Sequence, residues 1–218
     1  IEDIKIPQVD KGRLASGMNI YYVHDDKSEA FKIEAVHKGG FSHLPNASTS
    51  VLLNKMLLEG TKSSPGKLFL NEVDALGSFM EASPSFDNGI LGLFGLSRYF
   101  EKNVSLIAAA LYEAEFSEDR LIQLKKKDIN RIRLNKEKGS YLTSTQLRKC
   151  LFGTHPYGFT AEEQDVTALD IESLKMLYDT RIQNFDLFLA GNLPDNFIEI
   201  LNRYFQVKPI KNSIEQVQ

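Results

Sequence analysis

Val51-Leu52-Leu53-Asn54-Lys55-Met56-Leu57-Leu58-Glu59-Gly60-Thr61 is the stretch on which the fold turns. Its apolar residues, Val51, Leu52, Leu53, Met56, Leu57 and Leu58, cover most of a helical circumference instead of one stripe. A helix of that kind is buried on several sides, as it would be between a sheet and another helix. The pattern predicts a helix over residues 48–59, with Gly60 as its C-terminal cap.

Upstream, residues 18–24 alternate apolar and polar side chains and read as a strand. Residues 30–37 do the same: Phe31, Ile33 and Ala35 share one face, and Gly39-Gly40 ends the run. His37 falls on that face, so a packed or hydrogen-bonded structural role is expected of it. Downstream, Ser64-Pro65 opens a second helix that runs to Leu76, with Gly77 beyond it. Strands over residues 78–83 and 88–96 follow, around a turn containing Pro84 and Asp87-Asn88. Gly89, Gly92 and Gly95 superficially resemble a glycine-rich loop, but the alternation and the lack of a following Lys-Ser/Thr read as a strand with close backbone approach. Helical patterns then cover residues 99–114, 117–138 and 141–151, with Gly139 as a break and residues 152–159 as a loop. Asp170 caps a helix carrying Ile171, Leu174, Leu177 and Tyr178. A short strand over residues 185–190 and a last helix begun by Pro194 complete the order. Strands in runs, with helices grouped between them, predict an α+β fold: a largely antiparallel sheet with helices packed on it.

The composition fits that reading. The chain has 218 residues, 42% hydrophobic and 25% charged, enough for a sizeable core without disulfides or metals. With no linker or repeat to divide them, residues 1–218 read as a single domain. The chain opens at Ile1 without a signal-like stretch, so one part of a longer multi-domain protein is expected, with a similar domain after Gln218. The net charge is 26 − 29 = −3 without a basic stripe, which argues against nucleic acid as a partner. Lys125-Lys126-Lys127 reads as the solvated face of a helix. No apolar run is long enough to span a membrane, so a soluble chain is expected, and the residues leave cytoplasm and periplasm both open. Cys150 is the only cysteine; no intrachain disulfide is possible, and a buried small hydrophobe is expected. No Gly-x-Ser-x-Gly elbow and no phosphate-binding Gly-x-x-x-x-Gly-Lys loop occurs.

Five colinear stretches resemble the pitrilysin/insulinase family of zinc peptidases, which includes the mitochondrial processing peptidases. They are Leu14-Ala15-Ser16-Gly17-Met18, Lys38-Gly39-Gly40, Met56-Leu57-Leu58-Glu59-Gly60-Thr61, Ala75-Leu76-Gly77, and His155-Pro156-Tyr157-Gly158 with the segment from Leu177-Tyr178 to Gly191. Active members of that family carry His-x-x-Glu-His just before the Met-Leu pair. Two histidines four apart on one helical face bind zinc, the Glu between them acts as general base on the bound water, and a distal Glu completes the ligands. Carried onto this sequence, the resemblance puts Val51 at the first His, Asn54 at the Glu, Lys55 at the second His and Arg131 near the distal Glu.

Val cannot ligate zinc, and Asn cannot take a proton from water. Lys55 and Arg131 would bring two positive charges to the place of a divalent cation, a repulsion of about 4 kcal/mol at close range in an effective dielectric near 20. His24, His37, His43 and His155 are spread over strands and loops and offer no alternative ligand spacing. The resemblance therefore implies no catalytic residues and no metal in this chain, with zinc expected only in a partner domain. Where the family has Asn-Ala-x-Thr in its substrate-binding edge strand, this chain has Glu81-Ala82-Ser83-Pro84. Phe79, Met80, Glu81, Ala82 and Ser83 remain the candidates for pairing with an extended peptide by β-augmentation. Two roles stay open for Glu81: to neutralise Lys55 or Arg131, or to point to solvent as they do. The resulting expectation is a non-catalytic homologue that helps a related zinc-bearing domain or subunit bind or enclose peptide. A purely structural interaction module is the alternative, and an active peptidase would need a metal site not found here.

Overall fold

In the computed structural model, which describes residues 7–206, six strands form one sheet. They are β1 (Asp10–Arg13), β2 (Asn19–His24), β3 (Ala30–His37), β4 (Phe79–Pro84), β5 (Gly89–Leu96) and β6 (Phe185–Gly191), in the order β1-β2-β6-β3-β5-β4. Only β2 and β6 pair in parallel; the other neighbours are antiparallel. The register explains the alternation in the sequence. Ile33 sits between Leu93 and Leu189, and Ala35 between Leu91 and Leu187, all buried on one face.

That face carries the helices α1 (Ala47–Met56), α2 (Lys67–Ala75), α3 (Phe100–Tyr112), α4 (Glu118–Lys136), α5 (Gly139–Phe152), α6 (Glu163–Ala168), α7 (Ile171–Leu177) and α8 (Phe197–Tyr204). The opposite face of the sheet presents Phe79, Phe94 and Phe188 to solvent. The expected α+β fold, a mostly antiparallel sheet with helices packed on it, is what the chain adopts. No helix among the described residues is long and apolar enough to cross a membrane.

α1 is the central helix, touching β4 and β5 on one side and α4, α6 and α7 on others. Leu52, Leu53 and Met56 are fully buried, which accounts for the all-round apolar pattern. The helix starts earlier than its apolar run, because Asn46 Oδ1 accepts from the Thr49 backbone N–H at 2.8 Å. It also ends earlier, at Met56, and tighter turns carry the chain through Leu58 and Glu59. Gly60 is not its cap. It has φ 135°, and a side chain there would run into the backbone at Pro65 and Gly66.

Two elements are additional to those expected, and one expectation is overturned. β1 lies in Asp10-Lys11-Gly12-Arg13, which has no apolar alternation and is held by pairing with β2. α6 is six residues with Val166 as its one buried side chain, too short to show a period. The break expected at Gly139 falls just before it, with α4 ending at Lys136 and Gly139 beginning α5. Cys150, expected to be buried, is exposed, because α5 lies at the periphery and buries only Thr145. The loop after α5 is pinned by aromatic contacts: Tyr157 packs on Phe86 in the β4–β5 turn, Phe86 meets Phe41, and the Tyr157 hydroxyl donates to Asp87.

Candidate functional site

Val51 and Lys55, four residues apart, share the face of α1 that looks toward α4. Lys55 Nζ lies 3.8 Å from Oδ1 of Asp128 on α4. Arg131, one turn further along α4, donates to the same oxygen from Nε at 2.8 Å and from Nη2 at 2.7 Å. The side chains of Lys55 and Arg131 are 36% and 42% exposed, whereas that of Asp128 is 0% exposed. Lys55 and Arg131, which the resemblance puts at the second histidine and near the distal glutamate, are thus brought together around one buried carboxylate. Burial lowers the Lys55 pKa, with further lowering by Arg131 and Lys127; Asp128 and Glu59 act in the opposite direction.

Asp128 is the residue the sequence reading overlooked. Its signal was present: it precedes Arg131 by three positions, the spacing at which oppositely charged side chains meet on a helix. Glu81 does not play this part. It lies on the face of the sheet opposite the described helices, in register with Gly92 and, across that glycine, Glu34; the cation it acts on is Lys32. Lys125 donates to the Thr167 carbonyl at 3.2 Å, while Lys126 and Lys127 are exposed as expected of a solvated face.

Asn54, matched to the general base, turns away from this group. Fully buried, it donates from Nδ2 to the carbonyls of Gly39 at 3.1 Å and Ser50 at 2.9 Å. Ser50 Oγ donates to the same Gly39 carbonyl. These bonds tie α1 to the end of β3, a structural task that a carboxylate without donors could not perform. His37, also buried, accepts from the Gly39 N–H at Nδ1 over 3.1 Å, and burial pushes its pKa down to about 3. Its expected structural role is borne out. His24 ends β2, His43 sits in the turn before α1, and His155 Nδ1 accepts from the Tyr157 N–H.

These residues do not fit zinc. Asp128 already receives two guanidinium donors on one oxygen, and Lys55, which also converges on it, is a cation. Among the described residues, no three His, Cys, Asp or Glu side chains come together as a metal-binding group.

The peptide-strand candidates lie on β4, which pairs with β5 on one side and forms the edge of the sheet on the other. Met80 is buried beneath α1, whereas Phe79, Glu81 and Ser83 face the opposite way and are exposed; Ala82 is half-buried. Pro84 closes the strand and takes one N–H donor from its end.

No family profile matches the sequence. No curated protein sequence matches it either. Solved structures do match in fold. The peptidase M16 inactive domain from Pseudomonas fluorescens superposes with a TM-score of 0.85 at 23% identity, over 96% of this chain and 53% of that one. A protease from Helicobacter pylori gives a TM-score of 0.87 at 16% identity, over 96% of this chain and 53% of its own. Pitrilysin gives 0.80 at 15% identity, over 98% of this chain and 24% of its own. The chain therefore has the fold of pitrilysin-type M16 peptidase domains and lacks their zinc motif. It spans about half the length of the first two of these proteins.

Proposed function

We propose that this chain is a non-catalytic domain of a pitrilysin-type peptidase, helping a zinc-bearing partner domain or subunit to bind or enclose extended peptides. The observation that carries the reading is the pairing of a site unfit for metal with a strand, β4, that is the edge of the sheet among the described residues. Val51, Asn54, Lys55 and Arg131 supply neither ligands nor a base, and β4 still offers a main-chain edge. The lengths of the solved neighbours support a partner domain, since each is about twice this chain or longer. One solved neighbour is a periplasmic protease.

The test is metal content and peptide cleavage, on this chain alone and mixed with a zinc-bearing paralogue, alongside peptide affinity. An inert, zinc-free chain that raises the paralogue's activity and binds longer peptides more tightly supports the proposal. Stoichiometric zinc with cleavage by the isolated chain would overturn it. N-methylation of alternate peptide amides should abolish binding if β4 is the docking edge.

A second reading, a purely structural interaction module, is favoured by Phe79, Phe94 and Phe188, exposed on the face of the sheet opposite the described helices. Stable docking to a partner with no dependence on peptide length would select it.

A further inference from the structure

We infer that Lys55, Asp128 and Arg131 form an ionic tie in the place of a metal, a charge-inverted centre that fixes α1 against α4. A metal centre holds a cation among electron-donating ligands; here one anion is held among cations. Asp128 is a buried carboxylate, and a buried charge persists only when it is paired and hydrogen-bonded. Arg131 supplies that pairing from within α4, through Nε and Nη2. Lys55 is the partner from another element, and it converges on the same Oδ1 from α1. The second carboxylate oxygen, Oδ2, is buried without a protein hydrogen-bond partner, so the carboxylate's hold on both helices runs through Oδ1. The resemblance puts Lys55 at one metal-ligand position and Arg131 near another, so on this reading the cross-link between the two helices is kept while its charge is reversed. The tie joins α1 to α4 and holds whether or not β4 captures peptide.

The tie predicts that the chain neither needs nor tolerates a divalent cation there, and that the two cations will accept a small carboxylate if Asp128 is removed. Asp128→Asn keeps the shape and removes the charge; its thermal midpoint should fall by about 5 °C. Adding Lys55→Met to Asp128→Asn should lower it little further, because the tie is already broken. Asp128→Ala should fall at least as far and recover several degrees in sodium formate relative to sodium chloride of equal ionic strength. Chelator should leave the unsubstituted chain's midpoint unchanged. An Asp128→Asn midpoint within 1 °C of the unsubstituted chain overturns the inference, a threshold well inside the shift expected above. So does a chelator-induced fall, or the same response of Asp128→Ala to formate and chloride.

Discussion

His37 and Gly89 are partners in the β3–β5 register, and the His37 ring fills the space where a side chain at position 89 would stand. A methyl group there would lie 2.8 Å from Nδ1 of His37 and 2.6 Å from Oδ1 of Asn54. Both groups are buried and held by hydrogen bonds to Gly39 and Ser50, so neither can retreat cheaply. Gly89→Ala should therefore destabilise the chain by about 2–3 kcal/mol. Urea unfolding measures it, and a double variant with His37→Ala should cost less than the sum of the two single changes. Simple additivity would mean that the ring is not what excludes the methyl.

The same histidine shapes the response to acid. Burial pushes its pKa down to about 3, whereas an unfolded histidine titrates near 6.5. Below pH 6.5 the unfolded chain takes up a proton that the folded chain refuses. Stability from this group is thus full above pH 6.5 and is lost as the pH falls toward 3. At pH 5 the loss should reach about 2 kcal/mol relative to pH 7.5. His37→Asn keeps an acceptor for the Gly39 N–H but has no titration in this range. Its acid limb in urea unfolding at pH 7.5 and pH 5 should be flatter by that amount; parallel limbs would sink the assignment.

Asn46 sets where α1 begins. Its Oδ1 accepts from the Thr49 N–H at 2.8 Å and from Thr49 Oγ1 at 3.0 Å. Asn46→Ala should cost about 1 kcal/mol, whereas Asn46→Asp, which keeps the acceptor, should cost much less. Equal losses for the two would place the stabilisation elsewhere in the Asn46 amide.

How far the sequence could be read depended on whether a residue's environment was local. α1 announced itself because Leu52, Leu53 and Met56 are buried on different sides, and β3 because Phe31, Ile33 and Ala35 share one covered face. The close backbone approach expected of the glycine-rich strand is real: Gly89 meets His37 and Asn54, and Gly95 meets Asn103 and Ser78. β1 stayed hidden because its stability comes from hydrogen bonds to β2, which leave no pattern in side chains exposed along most of their length. The start of α1 stayed ambiguous because Asn46, Ser48, Thr49 and Ser50 can all act as caps in principle, and only packing selects one. At the site, Val51, Asn54, Lys55 and Arg131 were singled out through the family resemblance alone. The spacing of Asp128 and Arg131 lies within one window, but the approach of Lys55 to Asp128 depends on two helices meeting, which no single window of sequence contains.

Tyr178 tests how the end of α3 is closed. Its hydroxyl donates to the Leu111 carbonyl at 2.6 Å and accepts from the Ala114 N–H at 3.4 Å, and burial pushes its pKa up to about 12. Gln183 Nε2 donates to the same Leu111 carbonyl at 2.8 Å. In Tyr178→Phe the carbonyl keeps one donor while the Ala114 N–H loses its acceptor, so the loss should be modest, about 1–2 kcal/mol. In the Tyr178→Phe/Gln183→Leu double variant a helix-terminal carbonyl is left with neither side-chain donor. That loss should exceed the sum of the two single losses, because an abandoned buried carbonyl costs more than either bond it had. Urea unfolding of the four proteins in the cycle reads this directly. A sum that is merely additive would mean that water reaches the Leu111 carbonyl and that the end of α3 is open.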